Sequence, residues 1–190
     1  MKKCTSEGEV LNKMDLSLFV VNTTTKERVP VVLSPMTKED VLVTTQEPHW
    51  QTEWDTEYIQ DEEKEKFSLK TCDGELVGLV AYEIRAKYVV VRIVYMESHP
   101  ESNPTLVSHK KYDGIGKALI AAGIALSVNN GCYGCVTLEA KTTELAMHYY
   151  NAYHAIPLTS VGGPQRFMFD GDVSLAIISD YLTDSGKENL

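Results

Sequence analysis

The chain has 190 residues, 43% of them hydrophobic and 24% charged, and its formal net charge is −9. This composition is typical of a globular protein with one sizeable core, so we expect a single domain over residues 1–190. The negative charge argues against nonspecific binding to nucleic acid, which depends on lysines and arginines, and no segment approaches the roughly 20 consecutive apolar residues of a membrane span.

The N-terminal segment and the cysteines predict a cytoplasmic protein. The apolar run from Leu16 to Val21 is too short for the hydrophobic region of a signal peptide. The only Cys-x-x-Cys pair is Cys132 and Cys135, and a zinc site needs further ligands at matching spacing. We therefore expect the cysteines to be small core residues in a reducing compartment, and we expect no metal site.

The first third of the chain predicts a β-hairpin followed by two helices. Short β-type runs at Leu16 to Asn22 and Val29 to Leu33 flank the polar segment NTTTKER. Ser34 is a candidate cap for the first helix, with Pro35 at its first position. A second helix is expected from about Glu53 to Lys64.

The middle of the chain predicts a second hairpin and a central strand. The run FSLKTCDGELVGLVAYEI places two alternating strands around Asp73-Gly74, a pair typical of tight turns. Lys87 to Glu97 is almost continuously apolar and β-branched, which is typical of a strand covered on both faces. The long loop that follows, SHPESNPTLVSHK, contains two prolines.

Helical periodicity then begins at Ile115 and ends at Asn129-Asn130-Gly131. The remaining predicted elements are a strand at CVTLEA, a helix capped by Thr142 or Thr143, strands at Ile156 to Val161 and Gln165 to Asp170, and an apolar tail at Val173 to Leu182. We expect this tail to pack on the domain, and it is a candidate contact for a homodimer.

The stretch KKYDGIGKALI, Lys110 to Ile120, predicts an anion site, because a Gly-x-Gly step lets the backbone of a helix start approach a ligand. A Walker A loop requires Ser or Thr after Gly116-Lys117, and Ala118 stands there. A dinucleotide fingerprint requires a third small residue, and Leu119 occupies that position. Both alternatives fit poorly.

The segment Lys111-Tyr112-Asp113-Gly114-Ile115-Gly116 instead resembles the pyrophosphate loop of the GNAT superfamily of acetyl-CoA-dependent N-acetyltransferases. The family pattern is Arg or Gln, two residues, Gly, one residue, and Gly or Ala, so Lys111 is a departure that keeps the charge and loses the planar fork of arginine.

A second stretch, LEAKTTELAMHYYNAYHAIPL, resembles the fifth strand and the following helix of the family. Thr143 stands where the family often has Asn, Ala146 matches, and Tyr150 occupies the tyrosine position. His154-Ala155-Ile156 replaces the usual Gly-Phe. The similarity covers a core of about residues 29–170.

The resemblance implies an α+β fold with three layers, in which a mixed, mostly antiparallel sheet is splayed between two parallel strands. It also implies a site for acetyl-CoA, with the pantetheine arm on the amides of Met96, Glu97 and Ser98. The pyrophosphate would lie on the turn formed by Lys111, Tyr112, Asp113, Gly114, Ile115, Gly116, Lys117 and Ala118, and the matched positions Thr143 and Tyr150 complete the predicted cofactor site.

The implied reaction is direct transfer of an acetyl group to a primary amine of a small molecule, peptide or protein. Tyr150 would donate a proton to the leaving thiolate, since a phenol is protonated at neutral pH, unless it packs with Tyr149 and Tyr153 as an aromatic helix face. Glu97 is the first candidate for a general base, and His99, Glu139 or a water chain are alternatives.

The acceptor is expected to be a cationic amine. Its site would be built from His49, Trp50, Trp54 and Tyr58, with the acidic segment EWDTEYIQDEEKEK attracting positive charge, although Trp50 and Trp54 also fit a buried aromatic face. A noncatalytic acyl-CoA-binding sensor or interaction module with the same fold is the alternative function.

Overall fold

The computed structural model describes residues 16–159 and 162–183. Contacts divide the chain into two compact units, one containing Ser17–Ala81 and Tyr95–Leu119, and the other containing Tyr82–Val94 and the chain from Ile120 onward. The single domain over residues 1–190 stays a prediction, and its two ends lie outside the described residues.

The strands among the described residues are β1 (Phe19–Asn22), β2 (Arg28–Pro35), β3 (Lys64–Thr71), β4 (Leu76–Arg85), β5 (Val90–Ser98), β6 (Tyr112–Asp113), β7 (Val136–Glu139), β8 (Ile156–Leu158) and β9 (Arg166–Phe169). These nine strands form one sheet with the order β6-β1-β2-β3-β4-β5-β7-β9-β8. The helices are α1 (Lys38–Thr44), α2 (Glu57–Gln60), α3 (Ile115–Asn129), α4 (Thr143–Tyr153) and α5 (Gly171–Ile178).

The pairing of the strands confirms the predicted mixed, mostly antiparallel sheet. β1 pairs antiparallel with β2 and β6, β2 with β3, and β9 with β7 and β8. β5 and β7 are parallel, with the register Val91↔Val136 and Arg92↔Thr137, so their pairing lies at the first residues of both strands.

The start of α1 differs from the prediction. Ser34 and Pro35 belong to β2, where they pair with Ser68 and Phe67 of β3. Thr37 is the N-cap instead. Its side chain accepts a hydrogen bond from the amide of Asp40, and the carboxylate of Asp40 accepts one from the amide of Thr37, so the two residues form a capping box.

The second predicted helix is much shorter than expected, because α2 covers only Glu57–Gln60. Thr56 caps it by accepting a hydrogen bond from the amide of Ile59, and Asp61 then adopts a non-helical conformation. Lys64 already belongs to β3. The acidic pattern thus extends over a turn, one short helix and the start of a strand.

The predicted hairpin around Asp73-Gly74 is confirmed, with Gly74 at φ +90° between β3 and β4. The central strand begins at Val90, because residues Ala86–Tyr88 form a single 3₁₀ turn. Cys132 is buried as predicted, whereas Cys72 is exposed and Cys135 is half-buried. Cys4 lies outside the described residues.

In the second unit, α3 ends at Asn129 as predicted, and Thr142 caps α4 by accepting a hydrogen bond from the amide of Leu145. The tail forms α5, with Ile177 and Ile178 buried. The last residues of the predicted strand from Ile156 to Val161 lie outside the described part of the chain. Across residues 16–159 and 162–183, no helix combines the length and apolar character that a membrane span needs.

Candidate functional site

The turn before α3 has the backbone of an anion-binding helix start. Gly114 has φ +87°, a conformation that side chains rarely adopt, and α3 begins at the next residue. The amide of Ala118 donates to the carbonyl of Gly114 at 2.9 Å, so the amides of Ile115 and Gly116 precede the first intrahelical hydrogen bond. A Cβ atom added at Gly116 would have no neighbour within 4 Å. The space beside Gly116 is therefore open.

Backbone pairing holds the turn in place on its N-terminal side. β6 pairs with β1 through Asn22↔Tyr112, and the amide of Thr23 donates to the carbonyl of Lys111 at 3.0 Å. The amide of Tyr112 also donates to the hydroxyl of Ser102 at 3.0 Å. The turn is thus preorganised by the strand beside it and by the preceding loop.

A carboxylate that the sequence did not single out joins the side chains of this turn. Oε1 of Glu75 lies 2.7 Å from the ammonium nitrogen of Lys111, and Oε2 accepts a hydrogen bond from the hydroxyl of Tyr112 at 3.0 Å. The hydrogen bond to Glu75 raises the pKa of Lys111. Lys110 forms an ion pair with Asp113. The predicted phosphate ligand Lys111 therefore already has a carboxylate partner.

A glycine of β4 allows α3 to approach the sheet closely. A Cβ atom on Gly78 would lie 2.8 Å from Cγ2 of Ile115, 3.6 Å from Cδ1 of Leu119 and 3.2 Å from the carbonyl oxygen of Glu97. Gly78 thus sits between the first turn of α3 and the end of β5. In the sequence, Gly78 is simply one position of a strand with an alternating pattern, and that pattern does not indicate the close approach of α3.

Glu97 is buried, and its carboxylate accepts three hydrogen bonds. Oε1 accepts from the amide of Gln51 at 2.6 Å, and Oε2 accepts from the amide of Thr52 at 3.1 Å and from the indole N–H of Trp54 at 3.2 Å. Met96 and Ser98, the neighbours of Glu97 in β5, are half-buried. The candidate base is thus tied to the segment that contains both tryptophans.

His99 follows directly after β5. Its Nδ1 accepts a hydrogen bond from the amide of Glu101 at 3.3 Å, and its ring meets the edge of Trp50 at 5.6 Å between centroids. Burial lowers the pKa of His99, against the opposing charges of Glu101 and Glu75. The neutral ring then carries its proton on Nε2, so His99 presents a hydrogen-bond donor there.

The residues of the predicted acceptor site differ in exposure. Trp54 is fully buried and Trp50 is nearly so, which places both in the core. His49 is exposed beside Glu47, and Tyr58 is exposed with the ammonium of Lys64 over its ring. His49 and Tyr58 thus form the exposed rim of the predicted acceptor site, and the two tryptophans between them in the sequence are buried.

The second unit contains the remaining predicted residues. Tyr150 is 54% exposed, whereas Tyr149 is buried against Phe167 and Phe169. Tyr150 thus lies outside the aromatic packing of α4. Thr143 is the exposed first residue of that helix.

Glu139, one alternative base, lies 3.2 Å from Arg92 and 3.5 Å from Arg166. The carboxylate of Glu139 therefore forms ion pairs with two guanidinium groups. No group of three or more His, Cys, Asp or Glu in the described parts of the chain is arranged to hold a metal ion.

No family model matches the chain, and no curated protein matches it. Several solved structures, however, match the chain. A protein of Klebsiella pneumoniae assigned as an acyl-CoA N-acyltransferase is 14% identical, with a TM-score of 0.51 over 73% of this chain and 95% of its own.

The chain has the acyl-CoA N-acyltransferase fold. A spermidine N-acetyltransferase from Vibrio cholerae, solved with CoA and spermine, has the same fold, with 16% identity and a TM-score of 0.51 over 76% of this chain and 98% of its own. A chimeric form of that enzyme gives 14% identity and a TM-score of 0.53 over the same shares of the two chains. The fold that the predicted resemblance implied is thereby confirmed.

Proposed function

We propose that the protein is an N-acetyltransferase that uses acetyl-CoA as cosubstrate and a cationic primary amine as acceptor. The observation that carries this proposal is the open turn at Gly114 and Gly116, at the start of the longest helix of an acyl-CoA N-acyltransferase fold. Donors of this kind favour a diphosphate, because the amides and the helix dipole both present positive charge.

In this proposal the coenzyme binds along the first unit. The pyrophosphate lies on the turn from Tyr112 to Ala118. The amides of these two end residues already donate to Ser102 and Gly114, so the donors are amides between them. Lys117 adds charge, and Lys111 exchanges its Glu75 partner for a phosphate oxygen. The pantetheine arm extends along the amides of Met96 to Ser98, beyond the residues at which β5 pairs with β7. Thr143, at the start of α4, remains a further candidate contact.

The chemistry proceeds by direct attack. The nitrogen lone pair of the neutral amine forms a bond to the thioester carbonyl carbon, and negative charge develops on its oxygen, where backbone amides stabilise it. The C–S bond then breaks, and the thiolate takes a proton from the hydroxyl of Tyr150. The exposure of Tyr150 supports this role, because its hydroxyl is not committed to core packing. The predicted base, Glu97, already accepts three hydrogen bonds, so the ammonium proton leaves to water, and solvent returns a proton to Tyr150.

The acceptor is placed against the rim formed by His49 and Tyr58, next to the acidic segment from Glu53 to Glu65. A cationic amine suits these carboxylates, and the Vibrio cholerae structure of the same fold contains spermine. A cytoplasmic location and a homodimer formed through the tail remain parts of the proposal that sedimentation and fractionation would examine.

The buried carboxylate of Glu97 already accepts three hydrogen bonds, which favours one second candidate, a noncatalytic module that binds acyl-CoA. Thiol release from acetyl-CoA against a panel of polyamines, amino-sugars and peptides separates the two. Turnover with any amine supports the enzyme. Calorimetric binding of CoA without turnover on the whole panel supports the module, and the absence of CoA binding contradicts both.

A further inference from the structure

The carboxylate of Glu97 is fixed by donors from one short segment. The backbone donors belong to Gln51 and Thr52 and the indole donor to Trp54, and Glu97 as a whole residue is only 7% exposed. A buried carboxylate costs free energy unless it is paired or hydrogen-bonded, and these three donors meet that requirement. The burial of Glu97 and the conformation of residues 51–54 therefore depend on each other.

These contacts leave Glu97 poorly suited to removing a proton itself. A general base needs a lone pair directed at the reacting amine, whereas Glu97 is buried and already accepts three hydrogen bonds from this segment. The geometry suits a fixed anchor better than a group that changes protonation in every cycle.

The anchored segment is also joined to the loop that precedes the glycine turn at Gly114 and Gly116. This turn is the proposed pyrophosphate site and is called the coenzyme turn. The side-chain oxygen of Gln51 accepts from the side-chain NH₂ of Asn103 at 3.1 Å, and Asn103 is buried. The adjacent Ser102 accepts from the amide of Tyr112, the first residue of β6. Glu97, the 51–54 segment and the coenzyme turn thus belong to one hydrogen-bonded network.

We propose that Glu97 is a positioning residue for the acceptor: it holds the segment Gln51–Trp54 so that the exposed rim on either side of it, His49 and Tyr58, has a fixed place beside β5. This inference rests on the proposed function for the identity of the acceptor, but the anchoring of Trp54 by Glu97 stands independently of catalysis. It assigns Glu97 a role that acts through the segment and not through contact with the reacting atoms.

The first test uses Glu97→Gln, which keeps the size of the side chain and removes its charge. All three partners of the carboxylate are N–H donors, so the NH₂ of the glutamine must face at least one of them, and at least one hydrogen bond to residues 51–54 is lost. We therefore expect the KM for the amine to rise about tenfold or more. The Kd for CoA should change less than about twofold, because the coenzyme turn keeps its own backbone pairing. On the acidic side of its pH profile, kcat/KM of this variant should decrease in the same way as that of the wild type, because Glu97 is not the group that takes the proton. Glu27→Gln, in the exposed β1–β2 turn, is the charge-matched control.

The second test does not require activity. The chain has two tryptophans, so an amide NMR spectrum contains two indole N–H signals, and Trp50→Phe assigns them. In Glu97→Gln the Trp54 signal should move upfield, because a charged acceptor is replaced by a neutral one. The Glu27→Gln spectrum should keep both signals. This readout separates failure of the anchoring from failure of the proposed acetyl transfer.

Trp54→Phe provides a third variant if Glu97→Gln does not fold, because it removes the indole donor while keeping a large aromatic ring in the core. We expect a KM for the amine about threefold or more above wild type, with the Kd for CoA unchanged. The positioning role is overturned if Glu97→Gln abolishes the acidic limb while KM and both indole signals stay unchanged. It is also overturned if Trp54→Phe leaves KM unchanged.

Discussion

The ammonium group of Lys111 and the carboxylate of Glu75 form an ion pair of 2.7 Å at the entrance to the glycine turn. If Lys111 moves to a phosphate when CoA binds, Glu75 competes with that phosphate for the ammonium group of Lys111. Glu75→Gln should then tighten CoA binding, and Lys111→Met should weaken it, each by about two- to fivefold because the pair is partly exposed. Calorimetry at fixed ionic strength measures both, with Glu62→Gln as a net-charge control. Weaker binding by Glu75→Gln would show instead that Glu75 shapes the turn.

Gly78 should be sensitive to a single methyl group. In Gly78→Ala the new Cβ would lie 2.8 Å from Cγ2 of Ile115, so the first turn of α3 must shift. We expect a loss of about 1–3 kcal/mol in the free energy of unfolding, with weaker CoA binding. Urea denaturation measures the first effect. Gly116→Ala is the matched control, because its Cβ meets no atom within 4 Å and should leave stability unchanged or higher. Equal stability of the two variants would contradict this packing.

Local patterns predicted the strands and helices well wherever one residue type determines the outcome. The Asp73-Gly74 turn, the glycine after α3 and the cap of α4 are local features, and the structure confirms them. The start of α1 was misjudged because pairing with β3 keeps Ser34 and Pro35 in a strand, and such pairing is not visible in a local window.

The glycine turn was also predictable, because its motif is contiguous. Its surroundings were not. Glu75 is 36 residues from Lys111 in sequence, and the three donors to Glu97 are 43 to 46 residues away. Only the folded sheet brings these residues together, so no spacing rule could have found them.

Tyr150→Phe should lower kcat about 10²-fold or more if its hydroxyl donates the proton to the leaving thiolate. Its exposure means that removal of the hydroxyl should leave the thermal midpoint unchanged. Steady-state kinetics with saturating amine measures the loss, and Tyr133→Phe, on another exposed tyrosine, is the control. Full activity of Tyr150→Phe would exclude this proton donor.

Asp40 should make stability depend on pH at the acidic end. Its burial raises its pKa, but the ion pair with Lys70 at 2.7 Å and hydrogen bonds from Thr37 and Ser68 outweigh burial, and the pKa is lowered. Because the folded pKa lies below the unfolded value of about 3.9, the stabilisation is fully present above that pH. It is lost as the pH falls through the folded pKa.

The free energies of unfolding of wild type and Asp40→Asn should therefore differ by about 1–3 kcal/mol at neutral pH and converge in acid. Urea denaturation across that pH range measures this difference, with Asp55→Asn, an exposed aspartate, as control. A gap that stays constant down to the lowest pH would contradict the role of the ionised carboxylate.

Calorimetric titration of CoA into the wild-type protein and into Gly116→Glu tests the central claim, that the amides of this turn bind a diphosphate. Because the space at Gly116 is open, the variant should fold normally, while its carboxylate repels and blocks the phosphates. We predict saturable binding to wild type and to the control Gln46→Glu, and no detectable binding to Gly116→Glu at an unchanged thermal midpoint. Undiminished affinity of Gly116→Glu, or no binding by wild type, would contradict the account.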